Sequence, residues 1–176
     1  YDIVYIDSKS EFDKLNSSNC ILKIPRINER LPEYDSPLLI SDVGGIYKYK
    51  KVDTDFSLNV TNSYTVAFLH RLGVNKITLS YELTYNQVKS LINNYHTRYN
   101  KHPNLEVIVS SYAEAMVCKY NMLSKYKVEK GHLIDRFNNK YYVKIKENLM
   151  YIFDYKKTIL KDDYHSIGVN YIRVNK

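Results

Sequence analysis

At three places along this chain, polar residues follow apolar, strand-like runs. Asn59 and Asn62 close one run and open an amphipathic stretch. Ser80 and Glu82 hold the same position one unit later. Ser110 and Ser111 end a third run, with Glu114 just behind. In β/α folds the C-terminal edge of the strands is where ligands and reacting groups gather. Asn59 can point its amide into the mouth of a barrel. Glu82, if desolvated there, can serve as a general acid or base. Each has a plainer role as well. Asn62 fits a helix cap, and Glu82 fits an exposed carboxylate at a helix start. The spacing therefore sets the expectation that Asn59, Ser80, Glu82 and Glu114, with Ser111, converge at one sheet edge.

The elements that would position them follow from periodicity. Strands are expected at residues 3–6, 21–24, 38–41, 56–60, 76–80 and 105–110, mostly parallel. Ser8 or Ser10 can cap a short helix with Phe12 and Leu15 inward. Val66, Ala67, Leu69 and Leu72 mark one face of a helix that Gly73 can stop. Thr84 and Gln87 form a capping box. Val88, Leu91, Ile92 and Tyr95 behind it repeat at i, i+3, i+4 and i+7. Gly44-Gly45 reads as a turn, residues 113–120 as a helix, and residues 156–165 as a weaker helix. Residues 132–136 and 141–145 read as a β-hairpin with a third strand at 148–153, an insertion spanning 130–154. Val169 to Val174 gives a last strand. Glu106, early in its strand, needs a partner if it points inward, and Lys23 or Arg26 can supply one. Asp135 and Arg136 suit an ion pair at the hairpin turn.

Composition narrows the function classes. The 176 residues carry a formal charge of +7, 19 Tyr and no Trp. A basic balance can draw a protein to nucleic acid, although these lysines are scattered along the sequence. Cys20 and Cys118 fit no metal or redox spacing and agree with a reducing, cytoplasmic setting. No histidine pattern holds a metal, so neither metal nor cofactor is expected. No apolar run reaches the roughly 20 residues of a membrane span. Tyr1 rather than Met opens the chain, as in a piece of a longer protein.

Several segments, in order, resemble the collagenase-like peptidases of family U32. They are Leu22-Lys-Ile-Pro-Arg-Ile27, Asp55-Phe-Ser-Leu-Asn-Val-Thr-Asn-Ser63, Leu72 to Leu83, Leu105-Glu-Val-Ile-Val109 and Leu133-Ile-Asp-Arg136. Ala115-Met116, the hairpin and Tyr171-Ile-Arg173 continue the order. The resemblance implies a partial TIM-barrel-like β/α fold with an inserted hairpin, in one domain over residues 1–176. It also implies a peptidase acting on a peptide or protein. The alternatives are an RNA-binding or RNA-hydroxylation accessory protein of the same family, or an inactive paralogue. The chain departs from the family at two places. Ser110-Ser-Tyr112 stands where relatives have Tyr-Gly-Arg, and Asn121-Met-Leu123 where they have Cys-Pro-Leu. The ligands of the relatives' cysteine site are thus missing. A closed eight-unit barrel takes about 250 residues, so an incomplete barrel is expected here. Its open edge would be covered by the hairpin or paired in a homodimer.

Overall fold

A computed structural model describes residues 2–15, 17–31, 33–34, 37–146 and 148–175. The chain divides into two compact units, residues 1–108 with 162–173, and residues 109–161 with 174–176.

The first unit opens with β1 (Val4–Ile6), α1 (Lys9–Leu15), β2 (Cys20–Lys23) and β3 (Leu38–Ile40). Then come α2 (Val43–Lys48), β4 (Val52–Thr54), α3 (Ser63–Arg71), β5 (Val74–Thr78), α4 (Tyr85–Tyr99) and the start of β6 (Leu105–Cys118). The parallel strands lie in sequence order, β1-β2-β3-β4-β5-β6. Each connection returns the chain to the next place in the sheet. Helices α1, α2 and α3 pack on their neighbouring strands, and α4 packs on α3. Leu22, Ile24, Leu38, Ile40, Val52, Ile77, Leu79 and Leu105 are buried in this unit.

This sheet is strongly curled. The Tyr5 hydroxyl of β1 donates to Glu106 Oε1 of β6 at 2.8 Å. Five flat strand spacings of roughly 4.8 Å would hold those strands about 24 Å apart. The contact is possible only if the sheet bends round and its concave face looks inward.

The second unit begins with the rest of β6 and adds β7 (Lys130–Ile134), β8 (Lys140–Lys146) and β9 (Leu149–Ile159). These are antiparallel in the order β6-β9-β8-β7. One face covers a small core of Leu123, Val143, Met150 and Ile152. At the β7–β8 turn, Asp135 accepts from the backbone N–H groups of Phe137 and Asn139, and the Arg136 guanidinium lies over the Phe137 ring. Finally β10 (Tyr171–Val174) pairs with β6.

Both long helices begin as their sequences predict, and α3 ends so as well. Asn62 caps α3 by accepting from Thr65 N, and Thr84 with Gln87 forms the capping box of α4. Gly73 takes φ +92° just past α3, a conformation that glycine adopts without strain. Val88, Leu91, Ile92 and Tyr95 are all buried.

Five expectations need correction. Residues 56–60 are not a strand. The strand is Val52–Thr54, and Phe56–Leu58 form a 3₁₀ turn capped by Asp55. Residues 113–120 are not a helix, because β6 runs on to Cys118 along β9. The helix propensity of Ala, Glu and Met there yields to tertiary pairing. Residues 156–159 likewise stay in β9 rather than opening a helix. Gly44 and Gly45 lie inside α2, and Leu15 is exposed on α1.

Gly45 has a packing reason for its place in the helix. A Cβ there would sit 2.9 Å from Ile40 Cγ2, closer than carbon atoms tolerate. Gly45→Ala is therefore expected to destabilise the protein by about 1–3 kcal/mol. Urea unfolding would show this as a lower midpoint. An unchanged midpoint would mean that Ile40 can move aside.

Candidate functional site

Strand register builds a charged inner face in the first unit. Asp53 of β4 lies beside Lys76 of β5, and Thr78 beside Glu106 of β6. In-register neighbours share a face, and residues two apart along a strand share it too. Asp55 extends the β4 line past its end, and β10 carries Arg173 against the same group. In aliphatic barrels this face is filled by branched apolar side chains. Here it holds Tyr5, Lys23, Asp53, Asp55, Lys76, Thr78, Glu106 and Arg173.

Contacts among these residues form one network. Lys76 Nζ donates to Tyr5 Oη at 2.5 Å and lies 3.4 Å from both Asp53 Oδ2 and Glu106 Oε1. Thr78 Oγ1 donates to Glu106 Oε2 at 2.8 Å. Arg173 Nη2 meets Asp55 Oδ1 at 2.5 Å, and its Nε lies 3.3 Å from Glu106 Oε2. Lys23 Nζ meets Asp55 Oδ2 at 2.8 Å. The cations also stack on rings. Lys76 lies 5.0 Å from the Tyr5 centroid and 4.6 Å from that of Tyr171, and Arg173 lies 5.0 Å from Tyr5. Lys76, Asp55 and Glu106 are at most 3 % exposed, while Tyr5 is half-buried. Three formal cations face three carboxylates, so the buried group is balanced. That balance is what makes its desolvation tolerable.

The balance shows in the titration of its members. Burial alone would raise the Asp55 pKa, but Lys23 and Arg173 outweigh it and hold the carboxyl at about 2. Burial, then the Glu106 charge, push the Tyr5 hydroxyl well above its ordinary range, so it remains a proton donor. Because Asp55 is depressed from about 3.9 in the unfolded chain, its contribution is complete above about pH 4. It is lost as pH falls through about 2. The shift corresponds to about 2 kcal/mol. Urea midpoints at pH 5 and pH 2 should show this loss in the wild type, and Asp55→Asn should flatten that acid limb. An equally steep limb in the variant would assign the acid sensitivity to other groups.

The structure places the residues anticipated from sequence as follows. Asn59 is exposed, in a left-handed conformation, and ends the 3₁₀ turn. The Ser80 backbone N–H donates to Val60 O, and Ser80 Oγ accepts from the backbone of exposed Glu82. Ser80 and Glu82 thus share one turn beside the end of the Asn59 segment. Glu82 lines a groove of about 400 Å³ with Asn62, Gln87, Asn94 and Arg98. Ser111 and Glu114 belong to the second unit, where Glu114 pairs in register with Phe153. Glu106 points inward and is partnered as its position demands. Its partners are Lys76, Arg173, Tyr5 and Thr78, while Lys23 pairs with Asp55. Sequence reasoning missed Asp53, Lys76 and Arg173. The usable signal was a charged residue at alternate positions inside short apolar strands. Lys76 precedes Ile77 in Val74–Thr78, and Asp53 follows Val52.

The fold and the site have a family context. Residues 36–164 match the family model of peptidase family U32, which is most of the chain. The protein belongs to peptidase family U32. No curated protein and no solved structure matches it. Among the described residues, no group of His, Cys, Asp and Glu is placed to hold a metal ion. No helix among them is long and apolar enough to cross a membrane.

Proposed function

We propose that this protein is a hydrolase of the collagenase-like peptidase type, acting on peptide chains from the polar inner face of an incomplete TIM-type barrel. One observation carries the reading beyond family membership. The concave face holds eight interlinked polar and charged side chains where a purely structural barrel would pack aliphatic ones. Tyr5 is the member best suited to meet a substrate. It is half-buried, keeps its proton, and has Lys76 2.5 Å behind it. In this reading the Tyr5 proton, given to Glu106 Oε1 at 2.8 Å, turns to the carbonyl oxygen of a bound peptide as water adds to the carbonyl carbon. Breakdown of that adduct cleaves the C–N bond, giving a carboxylate and an amine. Glu106 and Lys76 act as positioning residues, holding the Tyr5 hydroxyl in place. The two free thiols, Cys20 and Cys118, fit a reducing, cytoplasmic setting.

Incubation of the purified chain with gelatin and with casein tests the reading by the appearance of new amino termini. Cleavage of gelatin supports it. An intact substrate, with protein shown to be folded by circular dichroism, would replace it with a non-catalytic member of the family.

A further inference from the structure

The groove that Glu82 lines carries charges of opposite sign that do not meet. Glu82 lies in the turn between β5 and α4, and Arg98 stands near the end of α4. Among the described residues, the Glu82 side chain has no ion-pair or hydrogen-bond partner, and Arg98 forms no ion pair. Opposite charges that line one cavity of about 400 Å³ without pairing leave room for a ligand between them.

The Arg98 guanidinium is held in place for such a ligand. Its Nη1 donates to Ser63 Oγ at 2.6 Å and to Asn94 O at 3.4 Å, and it lies 4.4 Å from the Tyr64 centroid. Ser63 is buried, so that anchor is fixed. Nε and Nη2 remain as donors, the pair with which a guanidinium grips a carboxylate through two parallel bonds. Between the two charges the groove is lined by amides. Gln87 and Asn94 lie about two turns apart on the α4 face that borders it. The Thr84 cap occupies Gln87 Oε1 and leaves the NH₂ group to donate. The Asn94 side chain makes no hydrogen bond among the described residues. Along the helix axis these two residues are about 10 Å apart, the length of about three extended residues.

From this arrangement we infer that the groove binds a short peptide, about three residues long, with both of its termini free. The ammonium group would meet Glu82, the carboxylate would meet Arg98, and the carbonyl oxygens between them would accept from Gln87 and Asn94. A phosphate could pair with Arg98 but would be repelled by Glu82, and a lone carboxylate would leave Glu82 unpaired. Only a ligand that carries both charges satisfies both ends. The inference is independent of the hydrolytic reading, because it uses none of the inner-face residues and requires no cleavage.

The test is isothermal titration calorimetry of the full chain with trialanine, its N-acetylated form and its C-terminal amide. Trialanine is expected to bind. Amidation should weaken binding by about tenfold, because it removes a charge-assisted, two-bond contact. Acetylation should weaken it by about threefold, because the Glu82 pair is exposed to solvent. Arg98→Met should abolish the preference for trialanine over its amide and keep the preference over the acetylated form. Glu82→Gln should do the reverse. Both side chains are exposed, so neither substitution should disturb folding. Should Arg98→Met nevertheless fail to fold, the three peptides on the wild type and on Glu82→Gln still decide. Four results would each overturn the inference: no saturable binding of trialanine, equal affinity for the three peptides, preferences that survive the substitutions, or inorganic phosphate binding as tightly as trialanine.

Discussion

Glu106→Ala is expected to destabilise the protein by about 3–5 kcal/mol, enough to leave little of it folded at physiological temperature. Glu106 is 3 % exposed and receives contacts from Lys76, Arg173, Tyr5 and Thr78. Its removal leaves an excess positive charge in a dry interior and orphans two hydroxyl donors. Unfolding by urea, followed by circular dichroism, measures the effect. A loss below about 1 kcal/mol would mean that water reaches the network and screens it.

The second large effect is a coupling. Lys76→Met alone leaves the buried group one negative charge in excess, and Asp53 keeps Asn75 as a hydrogen-bond partner. This single variant should also lose about 3–5 kcal/mol. In Lys76→Met/Glu106→Gln the remaining Lys23, Arg173, Asp53 and Asp55 are balanced again. The double variant should therefore be more stable than the sum of its singles by roughly 1–3 kcal/mol. Strict additivity in the urea midpoints would show that the two residues do not share a network.

The parts of this architecture written in local chemistry were readable from sequence. Helix α4 announces itself by its capping box and four buried apolar residues, and α3 by Asn62 and Gly73. The parallel order of the first unit follows from alternating strands and helices. Reading failed where tertiary pairing decides. Ala113 to Cys118 has helix-forming composition but is held in β6 by β9. Asp53 interrupts the apolar run of the true strand at Val52–Thr54, whereas Phe56, Leu58 and Val60 alternate as a strand would. The same effect concealed the inner network. Its residues come from β1, β2, β4, β5, β6 and β10, and only the curl of the sheet brings Tyr5 to Glu106, 101 residues away in sequence. The anticipated Ser80 and Glu82 do share a turn, but their segment lies on the surface groove rather than in that network.

The proposed role of the inner face comes down to one hydroxyl. Tyr5→Phe keeps the ring that packs against Lys76 and Arg173 and removes the hydroxyl that bonds Lys76 and Glu106 and, in the proposed reaction, turns to a peptide carbonyl. Loss of a single oxyanion donor lowers turnover by about 100- to 1,000-fold. The decisive measurement is the rate of gelatin cleavage by Tyr5→Phe beside the wild type, with exposed Tyr47→Phe as control. The account predicts a fall of that size for Tyr5→Phe in protein that remains folded, and an unchanged rate for the control. Equal rates for all three proteins would contradict it and place any hydrolysis elsewhere on the molecule.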